Sequence, residues 1–191
     1  MSVLVYVEQV EGKFKKSVFE AVSYAKAIAD QQGTSLSAIS IGNVADSELN
    51  ELGKYGASKV LKVEADQLKN FVNQAYASVI AEAAQKEGAN IVVLSNSFSG
   101  KGLAPRVAVK LKAGLVDGAV ELPTTDGGFS VKKTAFSGKA FAIATLTSEN
   151  KVIALNPNAF GVKENATSVA IEAFNPEVKS SDLTAIVKEI V

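Results

Sequence analysis

Short uninterrupted apolar runs alternate along this chain with stretches whose apolar residues recur every three or four positions. Val3-Leu4-Val5-Tyr6-Val7 is the first run. A strand apolar at successive positions has both of its faces covered, so the run predicts a buried parallel strand. Leu36–Ile41, Ser58–Val63 and Ile91–Leu94 predict three more. Glu8–Lys16 reads as a polar loop. Ser17 at N-cap and Glu20 at N3 then form a capping-box pattern. Val18, Val22, Ala25 and Ala29 share one helical face, and Gly33 takes the C′ place. Asp46 is expected to cap a short helix carrying Leu49 and Leu52. Asp66 is expected to cap the longest helix, with Leu68, Phe71, Val72, Ala75, Val79 and Ala83 on one face and Gly88 after it. Strands alternating with helices predict an α/β domain with a parallel sheet and right-handed crossovers.

The pattern changes after about residue 113. Leu115–Leu122, Phe129–Phe136, Ala140–Leu146 and Val152–Leu155 predict successive strands, joined by turns at Thr125-Asp126-Gly127-Gly128 and Ser137-Gly138. Val131 and Lys133 do not alternate cleanly with Lys132 and Thr134, which predicts an edge hairpin here. Val169–Ile171 is a last strand. In Ser181–Val191, Leu183, Ile186, Val187 and Ile190 fall on one helical face. A helix this short is marginal alone, so it either docks on the domain or leads into further polypeptide.

Composition narrows the chemistry. The chain has 191 residues, and at roughly 150 per domain that predicts one domain with room for an appendage. Lys and Arg number 20, as do Asp and Glu, which removes the excess positive charge a nucleic-acid footprint needs. There is no Cys and no His. Disulfides, thiol nucleophiles, ordinary zinc sites and every His-based triad are excluded. No segment carries the 18 or so apolar residues of a membrane span, so no membrane insertion is expected. The start lacks a signal-peptide pattern; the reading is cytoplasmic.

One loop stands out as a candidate site: Ser95-Asn96-Ser97-Phe98-Ser99-Gly100-Lys101-Gly102, after a buried strand and before a helix expected to begin near Pro105. Ligands of open α/β sheets bind beyond the carboxyl ends of strands, and helix N-termini attract anions. Ser95, Asn96, Ser97, Gly100, Lys101 and Gly102 are therefore candidates for a phosphate or nucleotide loop. The specific motifs fail. A Walker A loop needs Gly at Ser95 and Ser or Thr at Gly102, and a dinucleotide fingerprint needs Gly at Pro105. The other reading, which the residues favour, is a polar turn whose glycines permit close packing. Arg106 is the single arginine; a planar bidentate donor suits a structural or interface pair better than a ligand. Asp117, Glu121 and Asp126 read as solvated charge, as do Lys13, Lys15 and Lys16. Phe14, Phe19 and Phe141 read as core. Neither a nucleophile elbow nor any other catalytic constellation is found, so a Lys- and carboxylate-based hydrolase or isomerase is disfavoured.

Several segments in order carry a resemblance: Leu4-Val5-Tyr6-Val7-Glu8; Tyr55-Gly56-Ala57-Ser58-Lys59-Val60; Ser97 through Ala108 followed by Lys110-Leu111; and Lys133-Thr134-Ala135-Phe136-Ser137-Gly138-Lys139-Ala140. Together they resemble the N-terminal domain of the electron transfer flavoprotein α-subunit, over essentially the whole chain. The resemblance implies an open, mostly parallel sheet flanked by helices in three layers, adenine-nucleotide-hydrolase-like, with antiparallel strands in the C-terminal half. It implies one α/β domain over 1–175, with 176–191 a terminal helix or linker towards a flavin-binding domain. It also implies a non-catalytic role: a scaffold and heterodimerisation domain paired with a β-subunit. The whole complex would carry FAD and take electrons from acyl-CoA or other flavin dehydrogenases to a quinone reductase. No FAD is expected on this segment, since the family's Gly-Gly-Arg-Gly-type motif is missing. In this family the β-subunit loop matching 95–102 holds AMP, and the α-subunit loop generally does not. Asn156-Pro157-Asn158-Ala159-Phe160 stands where the family often has Arg before its Ala-Phe or Ser-Phe segment. The alternative is a stand-alone adenine-nucleotide module similar to universal stress proteins, although their Gly-x2-Gly-x9-Gly-Ser/Thr signature is missing.

Overall fold

The structure, a computed structural model, describes residues 2–185. The first strand is β1 (Ser2–Val7), buried along its whole length. The stretch read as a loop contains a tight hairpin, β2 (Gln9–Val10) with β3 (Lys13–Phe14). Helix α1 (Lys16–Gln31) starts one residue ahead of the expected cap: Lys15 is the N-cap residue and makes no side-chain capping bond. β4 (Leu36–Ile41) and β5 (Lys59–Val63) follow, separated by α2 (Asp46–Glu51). Ala45, not Asp46, is the cap of α2.

The long helix expected from Asp66 is two pieces. Asp66–Leu68 is a single 3-10 turn, and α3 (Asn73–Lys86) begins after a break. It is shorter than α1. Next come β6 (Ala89–Ser95), α4 (Phe98–Leu111) and β7 (Gly114–Ala119). Pro105 sits inside α4 instead of opening it. The remaining strands are β8 (Phe129–Ala135), β9 (Ala140–Leu146), β10 (Lys151–Leu155) and β11 (Ala170–Ala173).

Nine strands form one sheet in the order β11-β5-β4-β1-β6-β10-β7-β8-β9. Every pairing from β11 to β7 is parallel; β8 and β9 add an antiparallel hairpin at one edge. The expected fold class therefore holds. The four C-terminal strands are not consecutive neighbours, because β10 inserts between β6 and β7. Alternation along the strands explains the layers. Leu4 and Tyr6 face one core, shared with Val79, Ile80, Leu103 and Val107 of α3 and α4. Val3, Val5 and Val7 face the other, with Val18, Val22 and Ile28 of α1 and Leu49 of α2. Two helical layers thus cover a sheet apolar on both faces, which is why its strands read as unbroken runs.

Two expectations about packing fail. Phe14 is buried, but Phe141 is 62 % exposed, because β9 is the outermost strand of the sheet. The terminal helix does not begin at Ser181: residues 180–182 make a 3-10 turn and 183–185 continue without helix. Its remainder, 186–191, lies outside the described residues. Among the described residues no helix is long and apolar enough to cross a membrane.

Candidate functional site

The chain runs from β1 outward to β4 and β5, then crosses back to β6 on the other side of β1. The crevice beyond the carboxyl ends of β1 and β6 is thus the topological switch point, where open α/β folds place ligands. The loop chosen from sequence lies there. Ser95 ends β6, and Ser97 caps α4, its Oγ accepting a bond from the Gly100 N–H at 3.0 Å. Phe98 to Gly102 are already helix, so the expected loop is the first turn of α4.

Both glycines have a packing reason. A Cβ on Gly100 would stand 1.9 Å from the Ser95 carbonyl oxygen, and one on Gly102 would stand 2.6 Å from Asn73 Oδ1. α4 can start this close to the end of β6 only without a side chain at Gly100, where the neighbour is backbone; a side chain at Gly102 would have to displace that of Asn73. Lys101 is exposed at the surface of this turn.

The anion-attracting end of α4 is already engaged. The Ser97 hydroxyl donates to Glu8 Oε2 at 2.6 Å, so a carboxylate from the end of β1 stands at the helix N-terminus. A negative group there satisfies the helix macrodipole. A phosphate seeking the same amides would meet that charge. Three buried polar atoms nearby have no partner among the described residues: Asn73 Oδ1 and Asn96 Oδ1, which only accept, and the Ser95 hydroxyl, which can also donate. A phosphate, itself only an acceptor at neutral pH, could take the Ser95 hydroxyl but cannot satisfy the two amide oxygens.

Asn96 and Asn156 tie neighbouring strand ends together. The Asn96 side-chain amide donates to Asn156 Oδ1 at 2.7 Å, and Asn156 donates to Thr134 Oγ1 at 3.1 Å. Asn156 is the position where an Arg was expected from the family pattern; here it stitches the loop after β10 to β8. The next residues are held by Glu20. Its carboxylate, buried in α1, accepts from the backbone N–H groups of Asn158, Phe160 and Gly161, each at 2.8 Å. The capping-box reading placed Glu20 correctly on α1 and assigned it the wrong partner. A Glu in the apolar stretch Val18–Ala25 was the available signal.

Beside Glu8 opens a cleft of about 470 Å³, lined in part by Tyr6, Glu11, Phe71, Tyr76 and Ser99. Tyr6 and Tyr76 meet edge to face, with centroids 6.5 Å apart. The Tyr76 hydroxyl donates to the Leu68 carbonyl, and burial pushes its pKa up to about 12. Burial raises the Tyr6 phenol well above its ordinary range, with Tyr76 and Glu8 adding to it. Both phenols stay neutral at physiological pH. Lys69, the cation on this rim, is paired with Asp66 at 2.8 Å, so the cleft is acidic through Glu8 and Glu11.

Arg106 is exposed on α4, and its Nη1 donates to the Gly102 carbonyl at 2.7 Å. Among the described residues it forms no ion pair. Asp117 and Glu121 do not converge into an acid–base pair: Asp117 bonds Lys133, and Glu121 bonds Lys132. The bond from Lys133, with part from its charge, holds the Asp117 carboxyl below the usual carboxylate range. Among the described residues no group of His, Cys, Asp and Glu is placed to hold a metal ion.

Comparison with known proteins covers nearly the whole chain. The sequence model of the electron transfer flavoprotein domain matches residues 3–179. The electron transfer flavoprotein subunit alpha of Bacillus subtilis is 28% identical over 189 residues, covering 99% of this chain and 58% of that protein. The subunit alpha of Megasphaera elsdenii is 30% identical over 189 residues, covering 97% of this chain and 56% of that protein. The acryloyl-CoA reductase electron transfer subunit beta of Anaerotignum propionicum is 34% identical over 111 residues, 58% of this chain and 30% of that protein. The chain spans under three fifths of the length of the first relatives it matches. With the nine-stranded α/β sheet, these matches give the chain its place: it belongs to the electron transfer flavoprotein domain family, on the α-subunit side.

Proposed function

We propose that this chain is a scaffold and heterodimerisation domain of an electron transfer flavoprotein α-subunit, and that the redox chemistry is carried elsewhere in the complex. The observation that carries this reading is the Glu8 carboxylate at the N-terminus of α4. In the switch-point crevice, the natural nucleotide site of the fold, the N-terminus of α4 is met by the chain's own acid. FAD does not fit the residues present: its pyrophosphate would enter an acidic cleft next to Glu8 and Glu11, beside buried acceptor oxygens. FAD in this reading belongs to polypeptide outside residues 1–191, towards which 176–191 lead. Residues 1–175 form the platform.

The partner in this reading is an electron transfer flavoprotein β-subunit. The complex accepts electrons from acyl-CoA or other flavin dehydrogenases, as in fatty acid β-oxidation, and passes them to a quinone reductase of the respiratory chain. The chain itself is no enzyme, and it works in the cytoplasm. Exposed apolar side chains on a chain with two complete cores support a contact role: Phe98 in the first turn of α4 is 97 % exposed.

The purified chain is expected to be colourless and to co-purify with a co-expressed β-subunit. Visible flavin absorbance, released on denaturation at one flavin per chain, would overturn the reading, as would failure to associate with the β-subunit.

A further inference from the structure

The cleft beside Glu8, about 470 Å³, is walled by the end of β1, the β2–β3 hairpin and the segment between β5 and α3. Its two carboxylates are Glu8 and Glu11. Glu8 Oε2 accepts from the Ser97 hydroxyl at 2.6 Å, and Oε1 has no hydrogen bond among the described residues. Glu11 stands exposed on the hairpin turn and forms no ion pair among the described residues. The one ammonium on the rim, that of Lys69, is held by Asp66 at 2.8 Å. The negative charge of the cleft therefore has no counter-ion among the described residues.

A buried phenol on the same wall is also without a partner. Three tyrosines are buried, Tyr6, Tyr24 and Tyr76. Tyr24 donates its hydroxyl to the Glu121 carbonyl and Tyr76 to the Leu68 carbonyl, each at 2.9 Å. Tyr6 is 5 % exposed, yet its hydroxyl has no hydrogen-bond partner among the described residues. A buried phenol ordinarily finds one. Tyr6 lines the cleft, so that is where a partner can reach it. The rest of the wall is apolar: Val10, Ile41 and Phe71, whose ring packs on that of Tyr76 with centroids 4.9 Å apart.

We propose that this cleft binds a primary ammonium group carried on a short apolar chain. The ammonium donates to Glu8 Oε1 and to the Tyr6 oxygen, Glu11 adds its charge at the mouth, and the chain lies against Phe71 and Val10. An ammonium offers only donors, which complements a carboxylate and a phenol oxygen left open. Aromatic rings nearby favour a cation further. A divalent metal fits less well, because it takes about six or more oxygen ligands, and among the described residues no three acids gather to supply them. A phosphate is refused by the same two glutamates. A free alkylamine and a lysine side chain share the chemistry that the cleft selects. The inference goes beyond the scaffold reading and does not depend on it.

The test titrates the whole chain with butylamine at neutral pH and fixed ionic strength, following backbone amides by two-dimensional NMR. Saturation is expected with a Kd on the order of 1 mM for so small a ligand. The amides that move should be those of residues 8–11, 69–71 and Ser99. Butanol, the same size without the charge, is expected to bind about tenfold more weakly or worse. Tyr6→Phe removes one hydroxyl and keeps the ring. It is expected to weaken butylamine about tenfold while the melting temperature holds or rises, since nothing in the folded chain bonds that hydroxyl. Glu8→Gln keeps an acceptor for Ser97 and is expected to abolish saturable binding with an unchanged circular dichroism spectrum. Acetyl-lysine methylamide, blocked at its α-amine, separates the two sources: matching affinity assigns the cleft to a lysine side chain, and binding of butylamine alone assigns it to a free amine. No saturable shift with either amine would overturn the inference and leave the scaffold reading standing. So would butanol binding as tightly as butylamine, or a Tyr6→Phe chain that binds as well as wild type or melts lower. AMP moving these amides in place of the amine would overturn both.

Discussion

At the carboxyl end of the sheet two glutamates hold two loops, by different means. Glu20 is buried in α1 and gathers three backbone N–H groups from residues 158–161. Glu8 is half-buried at the end of β1 and holds one hydroxyl, that of Ser97, at the start of α4. The first is an anchor whose charge is solvated by the backbone itself. The second is a charge set against a helix end, where the dipole and a capping hydroxyl share the work. Glu8 stands at the crevice where open α/β folds place ligands; Glu20 holds the loop that follows β10. The difference in burial should separate their energetic weight.

The largest effect is expected at Glu20. Glu20→Ala leaves three amides without their acceptor and opens space under a loop. Hydrogen bonds to a charged group are worth roughly 1.5–3 kcal/mol each, and water reaches part of this loop, so the net loss should be about 3 kcal/mol. Urea unfolding should show the midpoint fall with little change in slope. A loss under about 1 kcal/mol would mean that the loop is held by Asn156 and by Phe160, whose ring packs on Tyr24.

Glu8→Ala sharpens the contrast. It removes the carboxylate from the α4 N-terminus and frees the Ser97 hydroxyl, while the Gly100 N–H keeps its cap. A helix-end charge is worth roughly 0.3–1 kcal/mol, so the cost should be about 1 kcal/mol, shrinking as salt screens it. A loss as large as that of Glu20→Ala would show that the two anchors do not differ as their burial suggests.

The same contrast marks what the sequence could reveal. Val3–Val7 and Ile91–Leu94 were readable because a strand covered on both faces needs no long-range information. Glu20 was not, because its partners lie some 140 positions away and its local neighbour Ser17 offered a false one. Asp66 misleads for a related reason: a capping residue signals the start of a turn, and residues 69–72 break the helix before it can continue. Phe141 reads as core because hydrophobicity says nothing about which strand becomes the edge. The loop at 95–102 was found by its strand-then-glycine pattern, but only the close approach of Gly100 to Ser95 shows what the glycines are for.

Arg106 carries the smallest expected effect. A lone arginine suggested a planar partner, and Pro105 suggested a helix start; the two belong together inside α4. Proline lacks the N–H that would reach the Lys101 carbonyl one turn earlier. That carbonyl lies on an exposed stretch of the helix, where water can reach it, so the proline is tolerated. The guanidinium folds back onto the next carbonyl, that of Gly102. An exposed bond of this kind competes with water at nearly equal strength. Arg106→Ala should therefore change stability by less than about 0.5 kcal/mol, well below either glutamate. Affinity for the β-subunit is the sharper measurement, because an exposed guanidinium bound by one carbonyl has donors left to offer. A several-fold loss of affinity with an unchanged melting temperature would assign Arg106 to the interface, and a loss of more than about 1 kcal/mol in stability would show that it holds the proline-interrupted helix together.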